Sequence, residues 1–173
     1  MPPSALHQAL LAALDDEYKS RAIYRVVIDT FGPVQPFSGI IRSEQRHIDA
    51  LRSLLAARNL PVISDPYAAG LPAPATLLEA CEAGVAAELE NVSLYDRLIA
   101  DAAGDEEVLF VFRALQRASQ ECHLPSFRRH LPGGQAEPCR GDRYGRKGLC
   151  CRAPDYGGRC RLHDICHGRL PLQ

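Results

Sequence analysis

Residues 60–75 carry Pro61, Pro66, Gly70, Pro72 and Pro74, and they separate two stretches of strong helical periodicity. Proline removes a backbone donor and clashes with the preceding helical turn, so no helix is expected across this segment. Sixteen residues of extended chain span roughly 50 Å, more than the roughly 30 Å of a twenty-residue helix. The segment can therefore run the full length of a helical bundle, leaving the helices before and after it parallel. A plain up-and-down bundle would not need so long a connection.

The flanking stretches each read as a pair of helices. From about Ser4 to Thr30, Leu6, Leu10, Ala13, Glu17, Ser20, Tyr24, Val27 and Phe31 follow one another in alternating steps of four and three. That spacing is the stripe a helix buries in a bundle. Gly32, Pro33 and Pro36 end it. A second stripe, Phe37, Ile40, Glu44, His47, Leu51 and Leu54, predicts a helix from Phe37 to near Asn59. Thr76 with Glu79 forms a capping box that opens a third helix, on the stripe Leu78, Cys81, Val85, Glu88, Val92, Tyr95 and Ile99. Gly104 closes it. Asp105 caps a fourth helix, which Glu106 and Glu107 favour at its N-terminus and which should run to about Leu131, bent at Pro125. The short links make each pair an antiparallel hairpin, and the long link makes the whole a four-helix bundle with a crossover between helices 2 and 3.

The chemistry is suggested by residues that do not belong on an apolar stripe. Glu17, Glu44, His47 and Glu88 occupy positions whose neighbours one turn away are apolar. A buried carboxylate is costly unless it is paired or bound to a metal. Glu44 and His47 form Glu-x-x-His, which puts both side chains on one helical face. Carboxylate-bridged dinuclear sites in bundles use this spacing, with a single Glu from each of two further helices. Glu17 is followed by Tyr24 and Glu88 by Tyr95, both at +7, so helices 1 and 3 look like equivalent members of two related hairpins. Tyr24 and Tyr95 read as core packing, with a redox role as the weaker alternative. Paired with Arg21 at +4, Glu17 alone would need no metal.

Helix 4 fits this pattern only in part. His123 lies on the line Leu109, Phe112, Gln116, Gln120, His123, Phe127, but the residue three before it is Gln120 rather than Glu. Glu121 is about 200° of helix rotation from His123 and cannot replace it. Cys81 and Cys122 read as small buried hydrophobes, and His7 and His130 as surface or capping residues.

Several phrases occur together in order: Asp16-Glu17-Tyr18 with Arg21-Ala22, Glu44-x-x-His47-Ile48, Gly84-Val85-Ala86-Ala87-Glu88, and Ala118-Ser119 leading to His123-Leu124-Pro125-Ser126-Phe127. Over about residues 5–131 they resemble a family of uncharacterised prokaryotic ferritin-like, rubrerythrin-related domains. The resemblance implies a ferritin-like bundle with a metal site formed by Glu17, Glu44, His47, Glu88 and His123. Ferritins and rubrerythrins use such sites to oxidise Fe(II) with oxygen or peroxide. Oxygen and nitrogen donors favour iron, with manganese or zinc as alternatives. Three carboxylates set −3 against +4 for two divalent ions, so the second ion would be held less firmly or would need water or hydroxide as a further ligand.

The remainder of the chain is different in kind. Up to Leu131 there are 12 Lys+Arg and 17 Asp+Glu, and from Pro132 onward 8 and 4. An acidic body with a basic tail suggests two units, 1–131 and 132–173, rather than a nucleic-acid binder. The tail holds Cys139, Cys150, Cys151, Cys160 and Cys166 with His163 and His167. In a reducing compartment such a cluster favours zinc over disulfides, although it lacks any Cys-x-x-Cys pair; iron, disulfides and an unstructured end are the other readings. Nothing near Met1 reads as a signal peptide, and no apolar run approaches the roughly 18 residues of a membrane span. The expectation is a cytoplasmic protein, homo-oligomeric as a dimer. It is either a di-iron oxidoreductase of ferroxidase or peroxidase type or a non-catalytic helical scaffold whose tail binds zinc.

Overall fold

The computed structural model describes residues 3–134. Among them the protein is all-helical, and the tail candidates Cys139, Cys150, Cys151, Cys160, His163 and Cys166 lie outside the described residues. Helix α1 spans Ala5–Phe31, α2 Phe37–Ala57, α3 Leu77–Asp101 and α4 Glu106–Ala118. A π-helical turn, Ser119–His123, continues α4 directly into α5, Leu124–Arg128.

The ends follow from local chemistry. Ser4 caps α1 by accepting from the His7 amide, Thr76 caps α3 through the Glu79 amide, and Asp105 caps α4 through the Val108 amide. Each satisfies a donor that the first helical turn leaves without a partner. Glu79 reaches back to the Ala75 amide, one residue earlier than the standard box. Helix α3 ends at Asp101, and Gly104 takes φ +99° in the turn to α4, a conformation that favours glycine. Arg58 at the end of α2 grips Asp105 with two guanidinium bonds, 2.9 and 2.8 Å, and reaches Glu107.

A π turn lies just before Pro125, where the sequence leads one to expect a bend. Proline has no N–H for the carbonyl four residues back, and its ring crowds that carbonyl. The turn before it widens, and the Leu124 amide donates to the Ser119 carbonyl, five residues back. The widening shifts the helical register. Ser119, not Gln120, becomes buried, and Gln120 faces solvent. Helix α3 is also rotated from its expected stripe: Gly84, Asn91 and Leu98 are buried, while Leu78 is exposed and Val85, Val92 and Ile99 lie at the edge of the core.

Cross-helix contacts order the helices. Tyr24 and Glu17 of α1 meet Phe37 and His47 of α2, respectively, and the same pair meets Glu88 and Tyr95 of α3. On the far side, Tyr95 packs on Phe112, Ser119 bonds to Asn91, and the Phe127 ring lies against Gly84. The core consists of two apolar clusters. One centres on Leu10, Leu14, Leu51, Leu54, Phe112 and Leu115, the other on Tyr24, Val27, Phe37, Ile40 and Phe127. Burial of this kind supplies the main favourable term in folding, about 25 cal/mol per Å² of apolar surface.

The segment between α2 and α3 is tied to α1. His7 is buried, not a surface residue, and its Nε2 lies 3.0 Å from the Pro61 carbonyl. Arg21 bonds to Asp65 at 2.6 Å and to Gln45, and the Tyr67 hydroxyl donates to Asp15 at 3.2 Å. No helix among the described residues is long and apolar enough to cross a membrane.

Candidate metal centre

Between the two apolar clusters lies a polar layer made of the five side chains the stripes single out. Glu17, Glu44, His47, Glu88 and His123 are each only 2–3 % exposed. Glu17 comes from α1, Glu44 and His47 from α2, Glu88 from α3 and His123 from the end of the π turn. The three-residue step from Glu44 to His47 is nearly one helical turn and points both side chains to the same side.

The donor atoms form two sets, Glu17–Glu44–His47 and Glu44–Glu88–His123, each with its atoms within 4.8 Å of one another. Glu44 belongs to both. Its Oε2 lies 3.0 Å from His47 Nδ1, and its Oε1 lies 3.3 Å from His123 Nδ1. The opposite oxygens of one carboxylate thus address the two halves of the layer. His47 Nδ1 also lies 3.1 Å from Glu17 Oε2, and His123 Nδ1 lies 3.4 Å from Glu88 Oε1. The two imidazoles stack with centroids 5.8 Å apart.

The outer carboxylates are held from behind by crossed tyrosines. The Tyr24 hydroxyl of α1 donates to Glu88 Oε1 of α3 at 2.7 Å. The Tyr95 hydroxyl of α3 donates to Glu17 Oε1 of α1 at 2.9 Å. Both tyrosines are fully buried, so each serves the packing and also orients a carboxylate. Arg21 is committed to Gln45 and Asp65, and the simple Glu17–Arg21 pair is not formed.

The electrostatics are those of too many acids in a dry place. Burial drives the Glu44 carboxyl well above the usual range; His123 opposes this, and the Glu17 and Glu88 charges add to it. Burial also acts on Glu17, but the charge and hydrogen bond of His47, with bonds from Glu44 and Tyr95, outweigh it and hold that carboxyl low. For His123, burial disfavours the charged form, yet the Glu44 and Glu88 charges prevail and raise its pKa to about 9. Burial pushes Tyr24 and Tyr95 far up, and the carboxylates beside them add to this. Without an ion, the layer must keep protons to limit its own repulsion.

The side chains fit a divalent ion on two grounds. His123 Nδ1 is buried without a hydrogen-bond partner, its carboxylate neighbours at 3.3 and 3.4 Å being too distant for a good bond. Such an orphan requires an explanation, and an imidazole nitrogen set against two carboxylate oxygens is a ligand set once an arriving cation displaces its proton. Imidazole with carboxylate also suits iron, manganese or zinc.

Three further residues adjoin the layer and were not singled out by the sequence pattern. Ser119 donates its hydroxyl to Asn91 Oδ1 at 2.7 Å, and Asn91 Nδ2 donates to Asp16 Oδ2 at 2.6 Å. Burial raises the Asp16 pKa to about 6, with the Glu17 charge adding to it. Asn91 stands three residues after Glu88, and that spacing was the available signal. Gln120, expected beside His123, is absent from the layer because of the π turn.

The fold is similar to that of a hypothetical protein from Methanococcus jannaschii known from a crystal structure, with a TM-score of 0.65 and 20% sequence identity, covering 93% of this chain and 91% of that one. At that identity the likeness is one of fold alone. No protein-family model and no curated protein matches the sequence.

Proposed function

We propose that this chain is a ferritin-like, rubrerythrin-related four-helix bundle whose buried layer holds two divalent metal ions, iron in the first instance, bridged by Glu44. The observation that carries the reading is the shared carboxylate: two three-residue donor sets meet at Glu44, one oxygen toward each histidine. The pairs Tyr24–Phe37, Glu17–His47, Tyr24–Glu88 and Tyr95–Phe112 support two antiparallel hairpins joined by the long segment between α2 and α3. That arrangement is the ferritin-like one.

Two iron ions held there would each supply one electron, Fe(II) to Fe(III), together the two electrons that take oxygen to peroxide or peroxide to water. The protein's part is to bind and to orient. Glu17 and His47 hold one side of the layer, Glu88 and His123 the other, and Tyr95 and Tyr24 fix the outer carboxylates. Apolar clusters on both sides keep bulk water away, which strengthens every interaction inside. Each phenol places a proton donor at an oxygen of a ligand, where it stabilises the carboxylate form.

A non-catalytic helical scaffold is the second reading. It is favoured by His47, whose Nδ1 already lies 3.0–3.1 Å from two carboxylates with no ion needed. Anaerobic titration with Fe(II), followed by exposure to air, separates the two. Uptake with formation of Fe(III) faster than in protein-free buffer supports the first reading, and absence of uptake by the helical layer supports the second.

A further inference from the structure

The five side chains are shut off from solvent, and four approaches to them are poorly suited to a cation. The two ends of the layer are closed by the apolar clusters around Leu14, Leu51 and Phe112 and around Tyr24, Phe37 and Phe127. The outer face of α1 beside α2 is covered where Arg21 binds Asp65 and Gln45. On α2, Arg46 bonds to Ser43 and places positive charge there.

The side between α1 and α3 is different. A surface depression of about 530 Å³ is lined by Asp16 of α1 and by Leu89, Glu90, Ser93, Leu94 and Arg97 of α3. Arg97, the cation of the set, is turned to the Ser93 carbonyl at 3.2 Å. Asp16 precedes the ligand Glu17 and is half-buried. From it the chain of bonds runs inward, through Asn91 at 2.6 Å to Ser119 at 2.7 Å. Asn91 lies one turn after Glu88. Ser119 lies four residues before His123, which is nearly one turn of a π helix. Both are buried polar groups with no ligand role.

We propose that divalent cations enter the buried layer through this depression, captured by Asp16 in place of the Asn91 Nδ2 donor and passed inward as the released Asn91 amide turns its Oδ1, and then the Ser119 hydroxyl oxygen, to the ion. The inference rests on the metal-binding reading above. A carboxylate at the mouth raises the local cation concentration and the rate of capture. Amide and hydroxyl oxygens then replace water ligands without trapping the ion, as a carboxylate would.

The test uses the full chain and Mn(II), whose preference for oxygen and nitrogen donors keeps it from the thiols of the tail. The protein has six Tyr and no Trp, so quenching of tyrosine emission reports arrival at the layer in a stopped-flow instrument. Asp16→Asn is expected to slow loading about tenfold at low salt, with the number of Mn(II) bound at saturation unchanged. Ser93→Arg, at an exposed position that leaves the core untouched, is expected to slow it similarly. Loading by both variants at the wild-type rate overturns the route while leaving the metal centre intact. A wild-type protein that binds no Mn(II) at equilibrium overturns the centre and the route together.

Discussion

The Tyr24 hydroxyl donates to Glu88 Oε1 across 2.7 Å, from α1 to α3. Tyr95 makes the reciprocal bond, from α3 back to Glu17 on α1, at 2.9 Å. Two helices thus exchange tyrosines to hold each other's carboxylates, an arrangement that follows from the shared +7 spacing once the helices run in opposite directions. Tyr24→Phe removes the donor and leaves a buried carboxylate oxygen short of a partner. The expected loss is about 1–3 kcal/mol in urea unfolding of the metal-free protein, and the same substitution should weaken binding at the Glu88–His123 side. Unchanged unfolding would mean that the bond contributes nothing.

Burial holds the Glu44 carboxyl well above the usual range, and the charges of Glu17 and Glu88 add to this. Glu44→Gln keeps its shape and its hydrogen bonding but removes a potential charge. The metal-free variant is therefore expected to be as stable as the parent within about 1 kcal/mol, or more stable, since like-charge repulsion and desolvation both fall. Metal uptake should be lost at both halves of the layer, not one. Thermal unfolding and metal analysis of the same sample check the two outcomes together.

At the π turn, neighbouring residues face opposite environments. Gln120 is exposed and Ser119 is buried against Asn91. Gln120→Glu is expected to leave metal stoichiometry unchanged and stability within about 0.5 kcal/mol. Ser119→Ala strands the Asn91 acceptor and should destabilise by about 1–3 kcal/mol. A gain in metal affinity on Gln120→Glu would show that the turn is an ordinary α turn in solution.

Gly84 carries the close approach of α3 to α5. A Cβ there would lie 2.6 Å from two carbons of the Phe127 ring, which is fully buried and packed on Tyr24 and Phe37 at 5.5 and 5.2 Å. The ring has nowhere to retreat. Gly84→Ala should therefore destabilise by about 1–3 kcal/mol and, by displacing Tyr24, disturb the Glu88 side of the layer. Chemical denaturation measures the first effect and metal affinity the second.

The parts legible in the sequence are those governed by period and by local capping. Glu17, Glu44, His47, Glu88 and His123 were readable because a charged residue on an apolar stripe is conspicuous, and Ser4, Thr76 and Asp105 because a cap acts within three residues. The π turn was not readable from period. Pro125 announces a disturbance, but whether the helix bends or widens depends on which carbonyl Leu124 can still reach. The rotation of α3 escaped for a related reason: steps of three and four drift from 3.6, and Gly84, chosen to admit Phe127, has no hydrophobic signature of its own. His7 looked like a surface group because its partner, the Pro61 carbonyl, is distant in sequence.

Electron paramagnetic resonance of Mn(II)-loaded protein tests whether Glu44 bridges two ions. Two manganese ions roughly 3.5–4 Å apart couple magnetically and give a spectrum unlike that of isolated Mn(II). Two bound ions per chain with a coupled spectrum are expected, with loss of both on Glu44→Gln. An uncoupled signal from a single ion, or a coupled signal that survives Glu44→Gln, would contradict a Glu44 bridge.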